Sequence, residues 1–128
     1  MKGVYCLLIE NNADKRFKAG VKRFFLKKGY YCYVGSAMNN LDKRIERHKN
    51  KKKNMHWHID YFLKHAEIID VKKHETDLRK ECFVSRIMDL ISSERIDSFG
   101  CSDCKCRSHL YYFDKNPLRK INDVFRNL

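Results

Sequence analysis

Apolar and polar positions alternate along parts of this chain and recur every three to four residues along others, and that division predicts its elements. Gly3 to Ile9 is almost unbroken apolar and reads as a buried strand. Glu10 ends the run, and Asn11-Asn12-Ala13-Asp14 carries turn chemistry. Lys15 to Phe25 reads as a second strand or hairpin arm, broken at Ala19-Gly20. In Gly29 to Gly35 aromatics alternate, which places Tyr31 and Tyr33 on one face of a strand. Asn39-Asn40 offers a cap for a helix over Leu41 to Lys49. After a basic loop, Lys49 to Asn54, the pattern predicts a helix over His56 to His65 and a strand over Ala66 to Lys72. The strongest helical period runs from Asp77 to Ser92, with Phe83, Val84, Ile87, Leu90 and Ile91 in one stripe. Ser108 to Phe113 reads as a last strand and Leu118 to Leu128 as a closing helix.

The predicted order is β, β, β, α, α, β, α, β, α. Helices outnumber crossover units, so a doubly wound parallel sheet is excluded. The expected class is α+β: a small mixed or antiparallel sheet flanked by helices. At 128 residues the chain fits one domain, 1–128, within which 101–128 stands apart as a cysteine-containing C-terminal extension. The apolar N-terminal run is too short for a signal core or a membrane span. The expectation is a cytoplasmic chain with no membrane partner and reduced cysteines. Cys6, Cys32 and Cys82 then read as small core residues.

Charge adds a partner. Lys and Arg number 28 against 16 Asp and Glu, a net charge of +12. Nucleic acid fits that excess, because neutralising phosphates releases counterions. The densest stretch follows the Leu41 helix, where Lys49, Lys51, Lys52 and Lys53 are candidates for tracking a phosphate backbone. A plain solvated loop is the alternative reading.

Helical geometry sharpens the chemistry. Leu41 and Ile45 set the packed side of their helix. Arg44 and His48 fall on that side, while Lys43, Glu46 and Arg47 fall away. An arginine turned inward must be paired, line a cleft or snorkel. Glu81 sits at the edge of the stripe on the Asp77 helix, where a carboxylate borders a cleft or simply faces solvent. Cys101, Cys104, Cys106 and His109 form C-x-x-C-x-C-x-x-H, four soft ligands of the kind that hold Zn²⁺. The spacing is tight for one ion, and a packed turn is the preferred reading.

Gly3-Val4-Tyr5 in the first strand, Tyr33-Val34-Gly35 in a later one, Asn-Asn-Leu-x-x-Arg-x-x-x-His from Asn39 to His48, and a later helical Glu occur in that order. This combination resembles the GIY-YIG nuclease superfamily from Gly3 to about Ile91. The strings GYYCYVGSA, RIERH, HWHIDY and FGCSDCKCRSHL resemble a small archaeal-type branch of it over nearly the whole chain.

The resemblance implies a metal-dependent endonuclease cutting phosphodiesters in nucleic acid, DNA in preference to RNA, in repair or structure processing. It implies that Tyr5 and Tyr33 line the cleft and that one of them takes the proton from the attacking water. Arg44 steadies the phosphate, His48 matches a position held by His or Tyr, and Glu81 holds one Mg²⁺ or Mn²⁺. His58 and Asp60, in HWHIDY, are expected to line the cleft or touch substrate. A partner protein supplying specificity is also expected, since relatives borrow it from attached domains. The chain departs from many relatives in the longer Asn11–Lys28 segment and in Ser36, where several carry Lys or Gln. Two alternatives stay open: a non-catalytic nucleic-acid-binding module on the same fold, and a zinc-stabilised interaction domain.

Overall fold

The computed structural model describes residues 1–100 and 107–128. Its elements are β1 (Gly3–Asn11), β2 (Lys15–Ala19), β3 (Lys22–Leu26), β4 (Gly29–Ala37), α1 (Leu41–Lys49), α2 (His58–Phe62), β5 (Glu67–Glu75), α3 (Glu81–Ile91), β6 (Glu94–Arg95), β7 (Leu110–Phe113) and α4 (Leu118–Arg126). Five strands form one sheet in the order β5-β1-β4-β7-β6, and β2 and β3 form a separate hairpin. All the pairings are antiparallel, so the α+β class holds.

β1 and β4 lie inside the sheet and are covered on both faces, which is why β1 reads as continuous apolar sequence. Tyr5, Leu7 and Ile9 join Tyr31 and Tyr33 on one face, against Leu41 and Ile45 of α1 and Ile59 and Phe62 of α2. Val4, Cys6 and Leu8 join Cys32 and Val34 on the other, against Val84 and Met88 of α3 and Ile121 of α4. Each fully buried Leu or Ile here contributes about 1.5–3 kcal/mol. Gly3 has a steric role: a Cβ there would stand 2.4 Å from the carbonyl oxygen of His74, so only glycine lets β5 close on β1.

Several expectations change. Lys15–Phe25 splits into two strands, with the break at Gly20, whose φ is 63°. The helix expected over His56–His65 shortens to α2, because the buried Asp60 carboxylate turns back to accept from the N–H groups of His56 and Trp57. The Asp77 helix begins only at Glu81. Its buried side is Val84, Ser85 and Met88, while Phe83 and Leu90 face solvent at 52% and 85% exposure. The segment after residue 106 is no extension. β7 pairs with β4 inside the sheet and α4 covers its second face, so the fold is incomplete without them. Cys6 and Cys32 are core residues as expected, but they are joined in a disulfide rather than reduced. They share a face on neighbouring strands, in register positions two apart. No helix among the described residues is long and apolar enough to cross a membrane.

Candidate active-site cleft

A cavity of about 280 Å³ opens at the end of the β1–β4 pair. Tyr5, Tyr33, Arg44 and Glu81, brought from β1, β4, α1 and α3, all line it. The pairing register sets Tyr5 opposite Gly35. A Cβ at residue 35 would stand 2.4 Å from the Tyr5 ring and hydroxyl, so glycine there makes room for the tyrosine.

α1 starts on Asn40, whose side chain accepts from the Lys43 N–H and fixes the helix register. That register aims Arg44 and His48 at Tyr5. The Arg44 guanidinium donates to the Ser36 carbonyl at 3.0 Å and lies 4.6 Å from the Trp57 ring centroid. Its positive charge also acts on the Tyr5 hydroxyl. The Tyr5 hydroxyl meets His48 Nε2 at 2.6 Å, and the imidazole tautomer sets which of the two donates. His48 Nδ1, the other ring nitrogen, is buried with no partner among the described residues.

Burial sets the protonation states. It pushes His48 down to about 3, with Asp60 pulling the other way, so the imidazole is neutral at pH 7. It pushes the Tyr5 phenol well above the ordinary range, with Arg44 opposing. Tyr33 is raised by burial and by neighbouring Tyr5. Both phenols are therefore protonated at neutral pH. Tyr33 packs edge-on to His48 with ring centroids 6.0 Å apart.

On the opposite wall, Glu81 Oε2 lies 4.0 Å from His109 Nε2. His109 is buried, its pKa is lowered by that burial, and its Nδ1 is 3.0 Å from Ser85 Oγ. Donor atoms of Glu81, Cys82 and His109 all lie within 4.8 Å of one another. A cleft carboxylate fits a divalent cation. Mg²⁺ or Mn²⁺ would use its oxygen with water and phosphate, whereas the nearby nitrogen and sulfur suit Zn²⁺.

Other candidates fall in different places. His58 lines the cleft and accepts from the Gly100 N–H. Asp60 does not; it is buried and forks onto Arg47, which is thereby held and not left in solvent. His48 lies behind Tyr5 and does not line the cavity wall. Lys49 and Lys52 are exposed. The ammonium groups of Lys51, itself exposed, and Lys53 meet carbonyls: Lys51 Nζ donates to those of Leu63 and Ala66, and Lys53 Nζ to those of Arg47 and His48. They close the C-terminus of α1 and the turn after α2, a capping role. Cys101, Cys104 and Cys106 lie outside the described residues. The cleft also holds Trp57 and Arg79, which sequence reasoning missed. The lone tryptophan of a basic chain, a natural shelf for guanidinium groups, was the available signal.

The family described as Domain of unknown function DUF123 matches residues 4–128. No curated protein and no solved structure matches the chain.

Proposed function

Starting from the fact that the chain belongs to the DUF123 family, we propose that it is a metal-dependent endonuclease of GIY-YIG type, hydrolysing phosphodiesters in nucleic acid. The observation that carries this reading is the convergence of Tyr5, Tyr33, Arg44 and Glu81 on one cleft from four separate elements. Such a set answers what the reaction needs. The Arg44 guanidinium is always charged and forks onto phosphate oxygens; Ser36 and Trp57 pre-orient it. A divalent ion held by Glu81 would supply Lewis acidity and help the leaving oxygen.

The proton follows the Tyr5–His48 contact. With His48 Nε2 as the acceptor, water adds to phosphorus, its proton passes to the Tyr5 oxygen and the Tyr5 proton to His48; the P–O bond to the leaving oxygen breaks, that oxygen takes a proton from solvent, and His48 returns its proton through Tyr5. Burial makes a charged His48 costly, and an anionic phosphate beside Arg44 offsets part of that cost. DNA in repair or structure processing is the proposed setting, with Mg²⁺ or Mn²⁺ as the ion and a partner protein supplying specificity. The strongly raised tyrosines favour a second reading, a nucleic-acid-binding module without catalysis.

A panel of labelled single-stranded, duplex, flap and branched DNA and RNA separates the two. Incubation with Mg²⁺, Mn²⁺ or EDTA is expected to give cuts that need the metal. Binding without cutting under either metal would transfer the assignment to the binding module.

A further inference from the structure

We propose that the outer face of the β2–β3 hairpin grips duplex nucleic acid and delivers it to the cleft. This deepens the nuclease reading by naming its substrate as duplex.

The hairpin has two unlike faces. Phe17 and Phe24, opposite each other, point inward. Phe17 stacks on Phe62 of α2 at 5.9 Å, and Phe24 packs against His58 at 5.2 Å and Phe99 at 5.0 Å. The ribbon is therefore anchored to the cleft wall through His58. Outward, the register sets Arg16 opposite Phe25 and Lys18 opposite Arg23, all four exposed.

Like charges directly across a ladder destabilise it. Arg16, Lys18 and Arg23 form no ion pair among the described residues, and from Lys15 to Lys28 the sequence holds no Asp or Glu. The face is built without its counter-charge. A polyanion supplies it.

The chemistry favours a duplex over a single strand. Single-strand binders present open aromatic platforms for stacked bases. Here Phe25 is the outward aromatic, and the Arg16 guanidinium covers it, 4.9 Å from the ring centroid. What remains is Arg16 and Lys18, about 6.8 Å apart along β2, with Arg23 facing Lys18 across the ladder, on a two-stranded ribbon of the kind a major groove admits.

Fluorescence anisotropy of a labelled 20-base-pair duplex in EDTA, across a salt series, reads binding without cleavage. The Arg16→Ala/Lys18→Ala/Arg23→Ala protein is expected to bind at least about tenfold more weakly at 0.1 M salt. Its log K against log salt line is expected to be shallower by about 3. An Arg16→Lys/Arg23→Lys protein, which keeps the charge, is expected to bind like wild type, and circular dichroism reports the fold of each. Unchanged affinity and slope in the folded triple variant would overturn the proposal and leave the cleft reading intact. A labelled single strand bound as tightly as the duplex would overturn it too. Failure to cut in the metal-dependent assay bears on the cleft alone, since binding in EDTA is measured without it.

Discussion

The hydroxyl of Tyr5 and Nε2 of His48 meet at 2.6 Å in the interior between β1 and α1, 43 residues apart in sequence. The contact joins the first strand of the sheet to the last turn of the helix that presents Arg44. The contact is shielded from solvent, since His48 is 2% exposed. On the proposed reading His48 acts through the Tyr5 oxygen, as a positioning and relay residue rather than a group that touches substrate.

Acid stability should carry the mark of that burial. The His48 imidazole sits at about 3 in the folded protein against 6.5 for the ordinary side chain. Between those values the unfolded chain binds the extra proton, so stability is full above 6.5 and falls as pH drops towards 3. His58 and His109 are lowered as well and add to the same slope. Urea titrations at pH 7 and pH 4.5 are expected to show a smaller acid loss for His48→Gln than for wild type. Equal losses would contradict a buried neutral His48.

Gly35→Ala should act through Tyr5. The new methyl would meet ring atoms at 2.4 Å, forcing the tyrosine or the β4 backbone to move. A stability loss of about 1–3 kcal/mol is expected from the overpacking. A larger fractional loss of cleavage is expected with it, because the Tyr5–His48 contact opens. Gly35→Ala cleaving at the wild-type rate would remove Tyr5 placement from the mechanism.

Asp60 is expected to matter for stability, not for binding nucleic acid. Burial alone would raise its pKa, but Arg47 and the N–H groups of Trp57 and His56 win and hold it low. Asp60→Asn leaves Arg47 half-paired and weakens the turn that starts α2. A loss on the order of 3 kcal/mol in thermal or urea unfolding is expected. Near-normal duplex affinity is expected at a temperature where the variant remains folded.

Much of the fold was readable where local and tertiary preferences agree. β1 and β4 carry long apolar or aromatic runs buried on both faces, and α1 has its Asn40 cap written in the sequence. The failures share a cause. α2 is cut short because Asp60 spends its carboxylate on the backbone N–H groups before it, a choice set by Arg47 from another helix. α3 starts late because Lys80 supplies no side-chain cap, so nothing local marked the boundary. Its apolar stripe was misaligned because Val84 and Met88 meet the sheet, while Phe83 and Leu90 extend the same hydrophobic count into solvent.

The cleft follows the same rule. Tyr5, Tyr33, Arg44 and Glu81 were legible because each occupies a motif position on a predictable element. Lys51 and Lys53 were not, because a lysine run looks alike whether its ammonium groups meet phosphate or nearby carbonyls. Arg79 lies just before α3 and carries no periodic signal; only the folded chain brings it to the cleft.

The most direct test is the rate of phosphodiester cleavage by folded Arg44→Ala and Glu81→Ala proteins beside wild type, each with Mg²⁺ and with Mn²⁺. Arg44 is half-buried and Glu81 partly exposed, so both variants are expected to fold. The account predicts metal-dependent cutting by wild type and a fall of about 100-fold or more in each variant, the size expected when a charge-stabilising group is removed. Cutting that persists unchanged in both folded variants would place the chemistry elsewhere and contradict the central claim.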